Sequence, residues 1–256
     1  MEKLTVIKVG GKIVEEEQTL KSLLADFSKI EGKKVLVHGG GRSATKIAEK
    51  LGIETKMVGG RRITDASMLQ VVTMVYGGLV NKNIVAQLQA LGINALGLTG
   101  ADMNAILSHR RPVKDVDYGF VGDVDRADGL MLSKLISEGI VPVMAPLTHD
   151  GKGSLLNTNA DTIAAETAEA LSGYFDVTLM YCFEKKGVLR DENDDDSVIP
   201  HIDSAAFEKL VADGVVQGGM IPKLENSFSA IDAGVSRVVI TKADAIATGE
   251  GTVIEK

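Results

Sequence analysis

The chain has 256 residues, 45% hydrophobic and 25% charged, enough for a substantial core in one large or two small domains. A net charge of −7, aromatics at 4% and the absence of Trp argue against nucleic acid as the main partner, since neither a basic footprint nor a stacking platform is present. Cys182 stands alone, which excludes an intrachain disulfide, and no apolar run reaches the length of a membrane span.

Residues 5–9 place apolar and β-branched side chains around one charge, Lys8, and end at Gly10-Gly11. That pattern predicts a buried strand running into a turn. This strand begins so close to Met1 that no signal segment fits before it, and a cytoplasmic protein is expected. Lysine is rarely buried unless paired, so Lys8 suggests a cation presented at a sheet's C-terminal edge, where open α/β sheets bind ligands. Gly10 and Gly11 would let backbone N–H groups approach an anion closely. An exposed edge lysine before an ordinary turn is the plainer alternative from this segment alone.

Residues 13–30 carry Leu20, Leu23, Leu24, Phe27 and Ile30 at helical spacing, and residues 33–38 form a second strand ended by Gly39-Gly40-Gly41. A helix over residues 43–51 completes two strand–glycine–helix units, which indicates a parallel α/β sheet. Residues 54–64 read as a hairpin around Gly59-Gly60. A long helix follows from Asp65 to about Leu91, capped by Thr64 or Asp65. It is apolar on opposite faces, with Met68, Val71, Val72, Val75 and Leu79 on one and Leu69, Met74, Tyr76 and Val80 on the other. Such a helix packs on the core and on a partner subunit, or is wholly internal. Strands are expected at residues 94–99, 140–145, 176–183 and 235–241. Helices are expected at 129–139, 162–171, 207–213 and from about Gly219 to Ala233. Residues 104–126 read as loops with short antiparallel strands. The acidic run 191–196 fails as a calcium loop because Asp196 and Ile202 occupy the required glycine and glutamate positions.

Gly39-x-Gly41-x-x-Ala44 meets a loose dinucleotide fingerprint, which would serve a nicotinamide-dependent oxidoreductase but leaves Lys8 and Asp161 without a role. No Walker A spacing and no His/Cys metal spacing occurs, and His38 at a strand end reads as structural. A more specific pattern lies in six motifs taken together: Ile7-Lys8-Val9-Gly10-Gly11, Val37-His38-Gly39-Gly40-Gly41, Gly60-Arg61-Arg62-Ile63-Thr64-Asp65, Gly119-Phe120-Val121-Gly122-Asp123, Asn157-Thr158-Asn159-Ala160-Asp161 and Gly219-Met220-Ile221-Pro222-Lys223. In this order the sequence resembles the amino-acid kinase family over nearly its whole length. The third and fifth motifs favour the branch that phosphorylates acylglutamates.

The resemblance implies a three-layer αβα sandwich with a mainly parallel open sheet and two lobes. Residues 1–170 would bind the acylglutamate and dimerise, and residues 171–256 would bind ATP. The implied reaction moves the γ-phosphoryl of ATP to the side-chain carboxylate of N-acetylglutamate, a step of arginine biosynthesis, with Mg2+ arriving on the nucleotide. Lys8 and Lys223 resemble the lysines flanking the phosphoryl group, Asp161 the carboxylate that holds both, and Gly11 a backbone donor. Gly40, Gly41, Arg62 and Asn157 resemble substrate ligands. Gly10, Lys186, Gly187, Val188 and Leu189 fall at the nucleotide end, and no residue is assigned to hold a metal.

Two departures stand out. The nucleotide-end segment Cys182-Phe183-Glu184-Lys185-Lys186-Gly187 is one residue longer than in relatives and lacks their aspartate. Arg61 stands where relatives carry an apolar residue, which suggests that Arg61, with Arg110 or Arg111, pairs with a second carboxylate and that the substrate is N-succinylglutamate. The chain lacks the N-terminal helical extension of arginine-inhibited hexameric relatives, so a homodimer with little arginine feedback is expected. A non-catalytic amino-acid sensor on the same fold is the alternative from another class, although it would have no need of both lysines and the aspartate.

Overall fold

In β1 (Lys3–Val9), Leu4 and Val6 pack on one face of the strand while Ile7 and Val9 pack on the other, which puts Lys8 on the Leu4 side. The computed structural model describes residues 1–256. α1 (Gly11–Glu15) begins at the glycine turn and is separated from α2 (Glu17–Lys29) by the extended backbone of Glu16. The single helix expected over 13–30 is therefore two, and the break lets Ile13 and Val14 bury independently of Leu20, Leu23, Leu24 and Phe27.

β2 (Lys33–His38) leads into α3 (Gly41–Lys50). β3 (Met57–Val58) and β4 (Arg61–Arg62) form the expected hairpin, shorter than its sequence span, with Gly59 and Gly60 at φ 55° and 74° as a type I′ turn requires. α4 (Ala66–Val72), a π-helical stretch at Thr73–Val80 and α5 (Asn81–Ala90) run on as the expected long helix. Asp65 is its cap, the carboxylate accepting from Met68 N–H at 2.8 Å. β5 (Ala95–Leu98), β6 (Ile106–Arg110), β7 (Gly122–Ala127), α6 (Gly129–Ser137), β8 (Val141–Met144), β9 (Leu147–His149) and β10 (Leu155–Asn157) follow. The chain then forms α7 (Ala160–Ser172), β11 (Asp176–Phe183), β12 (His201–Ile202), α8 (Ser204–Ala212), α9 (Met220–Asp232), β13 (Arg237–Lys242) and β14 (Thr252–Ile254).

Eight strands form the central sheet in the order β12-β14-β13-β11-β1-β2-β8-β5, and only the β13–β14 pairing is antiparallel. α6, α7, α8 and α9 cover one face, and α1 to α5 cover the other, giving the three-layer αβα sandwich. Strands before residue 171 build one half of the sheet and strands after it the other. The halves join where β1 pairs with β11 in parallel, Lys8 opposite Tyr181. A second, four-stranded sheet, β10-β9-β6-β7, lies beside the pocket described below, and a bridge from Val121 to Asn157 ties its two outer strands' ends together.

Candidate active site

Lys8 is 8% exposed, and its Nζ lies 2.7 Å from Asp161 Oδ1, which answers the question of how a lysine is tolerated inside this strand. Asp161 is placed by the start of α7. The Asn159 side chain caps that helix, accepting from Asp161 N–H at 2.7 Å and Thr162 N–H at 3.3 Å. A carboxylate in a helix's first turn also meets the favourable end of the backbone dipole.

Lys223 reaches the same edge from the first turn of α9, but it forms no ion pair with Asp161. Its ammonium lies 4.0 Å from the centroid of the Phe183 ring, and Lys8 Nζ lies 5.6 Å from the same point. Burial lowers the pKa of Lys223, with Asp161 acting in the opposite direction and Lys8 adding to the lowering. The expectation that Asp161 grips both lysines is thus corrected: it contacts Lys8 and acts on Lys223 only through its field.

The two glycine turns abut. Gly39 N–H donates to Val9 O at 2.9 Å, and a Cβ on Gly39 would sit 3.1 Å from Gly11 N. A Cβ on Gly40 would lie 2.8 Å from a ring carbon of Tyr76. The backbone therefore closes to a distance that leaves no room for side chains, and Gly41 is common to two hollows on either side.

One hollow is lined by Gly41, Arg61, Arg62, Tyr76, Asp123 and Asn157 among others. Arg62 is 8% exposed and firmly held: Nη2 donates to Gly41 O and Thr45 Oγ1, both at 2.8 Å, and Nη1 to Thr55 Oγ1 at 3.2 Å. Asn157 donates from Nδ2 to Thr64 Oγ1 at 2.9 Å. Arg111 meets Asp123 with a forked pair of donors, Nε lying 3.1 Å from each carboxylate oxygen. Hydrogen bonds from Arg111 hold the Asp123 carboxyl below the usual carboxylate range against its partial burial. Arg110 donates to Gly119 O and packs over Phe120. Arg61 is exposed and forms no ion pair, so of the three arginines named as partners for a second carboxylate it is the one whose charge is open to the hollow.

The other hollow is lined by Gly10, Gly11, Lys12, Arg42, Phe183 and Glu184 with their neighbours, and a Lys12–Glu184 ion pair of 3.1 Å spans it. The structure does not bring the remaining nucleotide-end residues here. Lys186 lies in an exposed loop and pairs with Asp196 at 2.5 Å. Val188 and Leu189 are buried in the body of the protein, Val188 N–H donating to Thr252 Oγ1, and Gly187 packs so closely on Thr252 that a Cβ would lie 2.7 Å from its hydroxyl. These residues support the wall rather than face the groove. Phe183 and Glu184 take the position at the edge.

The sequence motifs do not single out Phe183 or Tyr76 for the site, although in a chain with 6 Phe and 4 Tyr an aromatic residue ending an expected strand, as Phe183 does, is a usable signal. Cys182 beside it is buried, which pushes its thiol up to about 12 and leaves it inert as a nucleophile at neutral pH. His38 is structural, as expected: Asn81 Nδ2 donates to its Nε2 at 3.1 Å, so Nδ1 carries the proton and donates to Gly39 O at 2.8 Å.

The sequence pattern of the amino acid kinase family matches residues 3–242. An acetylglutamate kinase of Phocaeicola vulgatus is 76% identical over 255 residues, covering 100% of this chain and 99% of its own. One of Methanopyrus kandleri is 39% identical over 255 residues, covering 98% and 100%. Among solved structures, smu.665 from Streptococcus mutans superposes with a TM-score of 0.77 at 28% identity, covering 98% of each chain. An N-acetylglutamate synthase from Neisseria gonorrhoeae gives 0.82 at 22% identity, over 100% of this chain and 59% of that one, a likeness of fold alone. By its motifs, its layers and this match along nearly its full length, the chain belongs to the amino acid kinase family.

Proposed function

We propose that the chain is an ATP-dependent N-acetylglutamate kinase, which phosphorylates the γ-carboxylate of N-acetyl-L-glutamate in arginine biosynthesis. The observation that carries this is the pair Lys8 and Lys223, both within 6 Å of one ring at the sheet edge, a ring that also lines the glycine-rich hollow. Full-length likeness to acetylglutamate kinases supports the choice of acceptor.

The acceptor carboxylate has an ordinary pKa near 4.3 and is ionised at neutral pH, so the step needs no general base. The difficulty is to bring anions together and to offset charge on the phosphoryl group in flight. Lys8, oriented by Asp161, and Lys223 supply that charge. Backbone N–H groups of Gly10, Gly11, Gly40 and Gly41 are read as donors to phosphate and acceptor oxygens. Arg62, fixed by Gly41, Thr45 and Thr55, and Asn157 are read as ligands of the α-carboxylate. No three His, Cys, Asp or Glu residues converge in the chain. Mg2+ would accordingly be held by the phosphate oxygens and water, and would neutralise phosphate charge. In this reading residues 1–170 hold the acylglutamate, residues 171–256 the nucleotide, and the enzyme works in the cytoplasm. Met74 and Leu79, each at least half exposed on the long helix, support a homodimer through that helix, which light scattering tests.

A second acceptor, N-succinylglutamate, is favoured by the open guanidinium of Arg61. The test is ATP-dependent acylphosphate formation trapped with hydroxylamine, on N-acetylglutamate, N-succinylglutamate and glutamate side by side. Turnover concentrated on the acetyl compound is the expected result. Turnover concentrated on the succinyl compound, lost in Arg61→Leu, would transfer the assignment. ATP binding without turnover on any acceptor would point to a sensor.

A further inference from the structure

Phe183 ends β11 with its ring close to the ammonium groups of both lysines. Both ammonium groups lie within the range, about 6 Å from a ring centroid, in which an aromatic face attracts a cation. The ring is backed by Tyr181, with centroids 6.0 Å apart and planes 14° from parallel, because residues two apart on a strand share a face. Tyr181 in turn sits opposite Lys8 in the β1–β11 register. The two lysines differ in what balances them. Lys8 has the Asp161 carboxylate, whereas half-buried Lys223 has no anionic partner and stands in the first turn of α9, where the helix dipole repels a positive charge. The group its ammonium meets is the ring.

We propose that Phe183 is a positioning residue for phosphoryl transfer, its π face holding the Lys223 ammonium at the sheet edge without cancelling its charge. A carboxylate in the same place would also hold the lysine, but with Asp161 already beside Lys8 a second one would leave the lysine pair with no net positive charge for the transferring phosphoryl group. A ring offers attraction with no formal countercharge. The inference rests on the kinase reading above.

The experiment compares full-length wild type with Phe183→Leu and Phe183→Tyr. The first readout is the NMR signal of the Lys223 ε-methylene, assigned by its loss in Lys223→Arg. Ring currents are expected to shift it upfield in the wild type and in Phe183→Tyr, and not in Phe183→Leu. The second is kcat and its alkaline limb. Phe183→Leu should lower kcat about 2- to 30-fold, the range a cation–π contact spans, with KM for the acceptor little changed. The alkaline limb should move to lower pH, because the ring favours the protonated amine. Phe183→Tyr should restore both. If Phe183→Leu does not fold, Phe183→Met takes its place, and the wild-type signal needs no variant. An unshifted Lys223 signal in an enzyme that turns over overturns the proposal, as does Phe183→Leu matching wild type or Phe183→Tyr failing as badly as Phe183→Leu. A shifted signal in a protein that phosphorylates no acylglutamate overturns the kinase reading instead.

Discussion

Asp161 and Lys8 are held 2.7 Å apart, and this one contact explains why a lysine sits inside the first strand. Replacing Asp161 with Asn keeps the shape and removes the charge that aims Lys8. The expected outcome is a fall in kcat on the order of 100- to 1000-fold, the usual scale for a displaced electrostatic donor, read by steady-state kinetics. His38 gives a prediction about stability. It is fully buried, and desolvation lowers its pKa from 6.5 to about 4. In the unfolded chain it binds a proton at a pH where the folded protein refuses one. Its contribution is therefore complete above pH 6.5, declines as pH falls, and is gone below about 4, with a total on the order of 3 kcal/mol. Urea midpoints of wild type and His38→Asn, measured down this range, should converge toward acid. Lys8, Asp161, Arg62 and Asn157 could be named from the sequence because each sits in one of the short motifs that carry the family resemblance. Phe183 could not, since its partner Lys223 lies 40 residues further on and only the packing of α9 on β13, the neighbour of β11, brings ring and ammonium together.

At the scale of elements, the long helix positions the acceptor pocket through its π-helical stretch. Widening the turn at Thr73–Val80 carries Tyr76 onto the glycine turn, against Gly40. Gly40→Ala should push the ring into the pocket and raise KM for the acceptor with a smaller effect on kcat, by kinetics on folded protein. α6 and α7 touch through Gly129, where a Cβ would lie 1.9 Å from the Ala170 carbonyl oxygen. Gly129→Ala is expected to destabilise by about 1–3 kcal/mol, seen as a lower melting temperature. The long helix was legible from its apolar spacing, but its π turn was not, because residues apolar all round fit either winding. Strands β9, β12 and β14 are 2 or 3 residues long, too short for alternation to register, and they exist because neighbouring strands offer them hydrogen bonds.

The whole molecule is organised by the seam between β1 and β11, which joins the half-sheet bearing the arginine pocket to the half bearing Phe183 and α9. The parallel class of the sheet could be read from repeated strand–glycine–helix units. The strand order could not, because nothing local in residues 3–9 says that their neighbour is residues 176–182. That order also has a temporal consequence. β1 takes a central place, yet one of its edges stays unpaired until the roughly 170 residues between it and the end of β11 have followed it out of the ribosome, roughly 9 to 35 s at ordinary synthesis rates. During that interval an apolar strand with a bare edge is open to association with other nascent chains. A fragment ending at Phe175 should therefore pellet when released from the ribosome, whereas one extended through Phe183 should gain solubility as it acquires the missing neighbour.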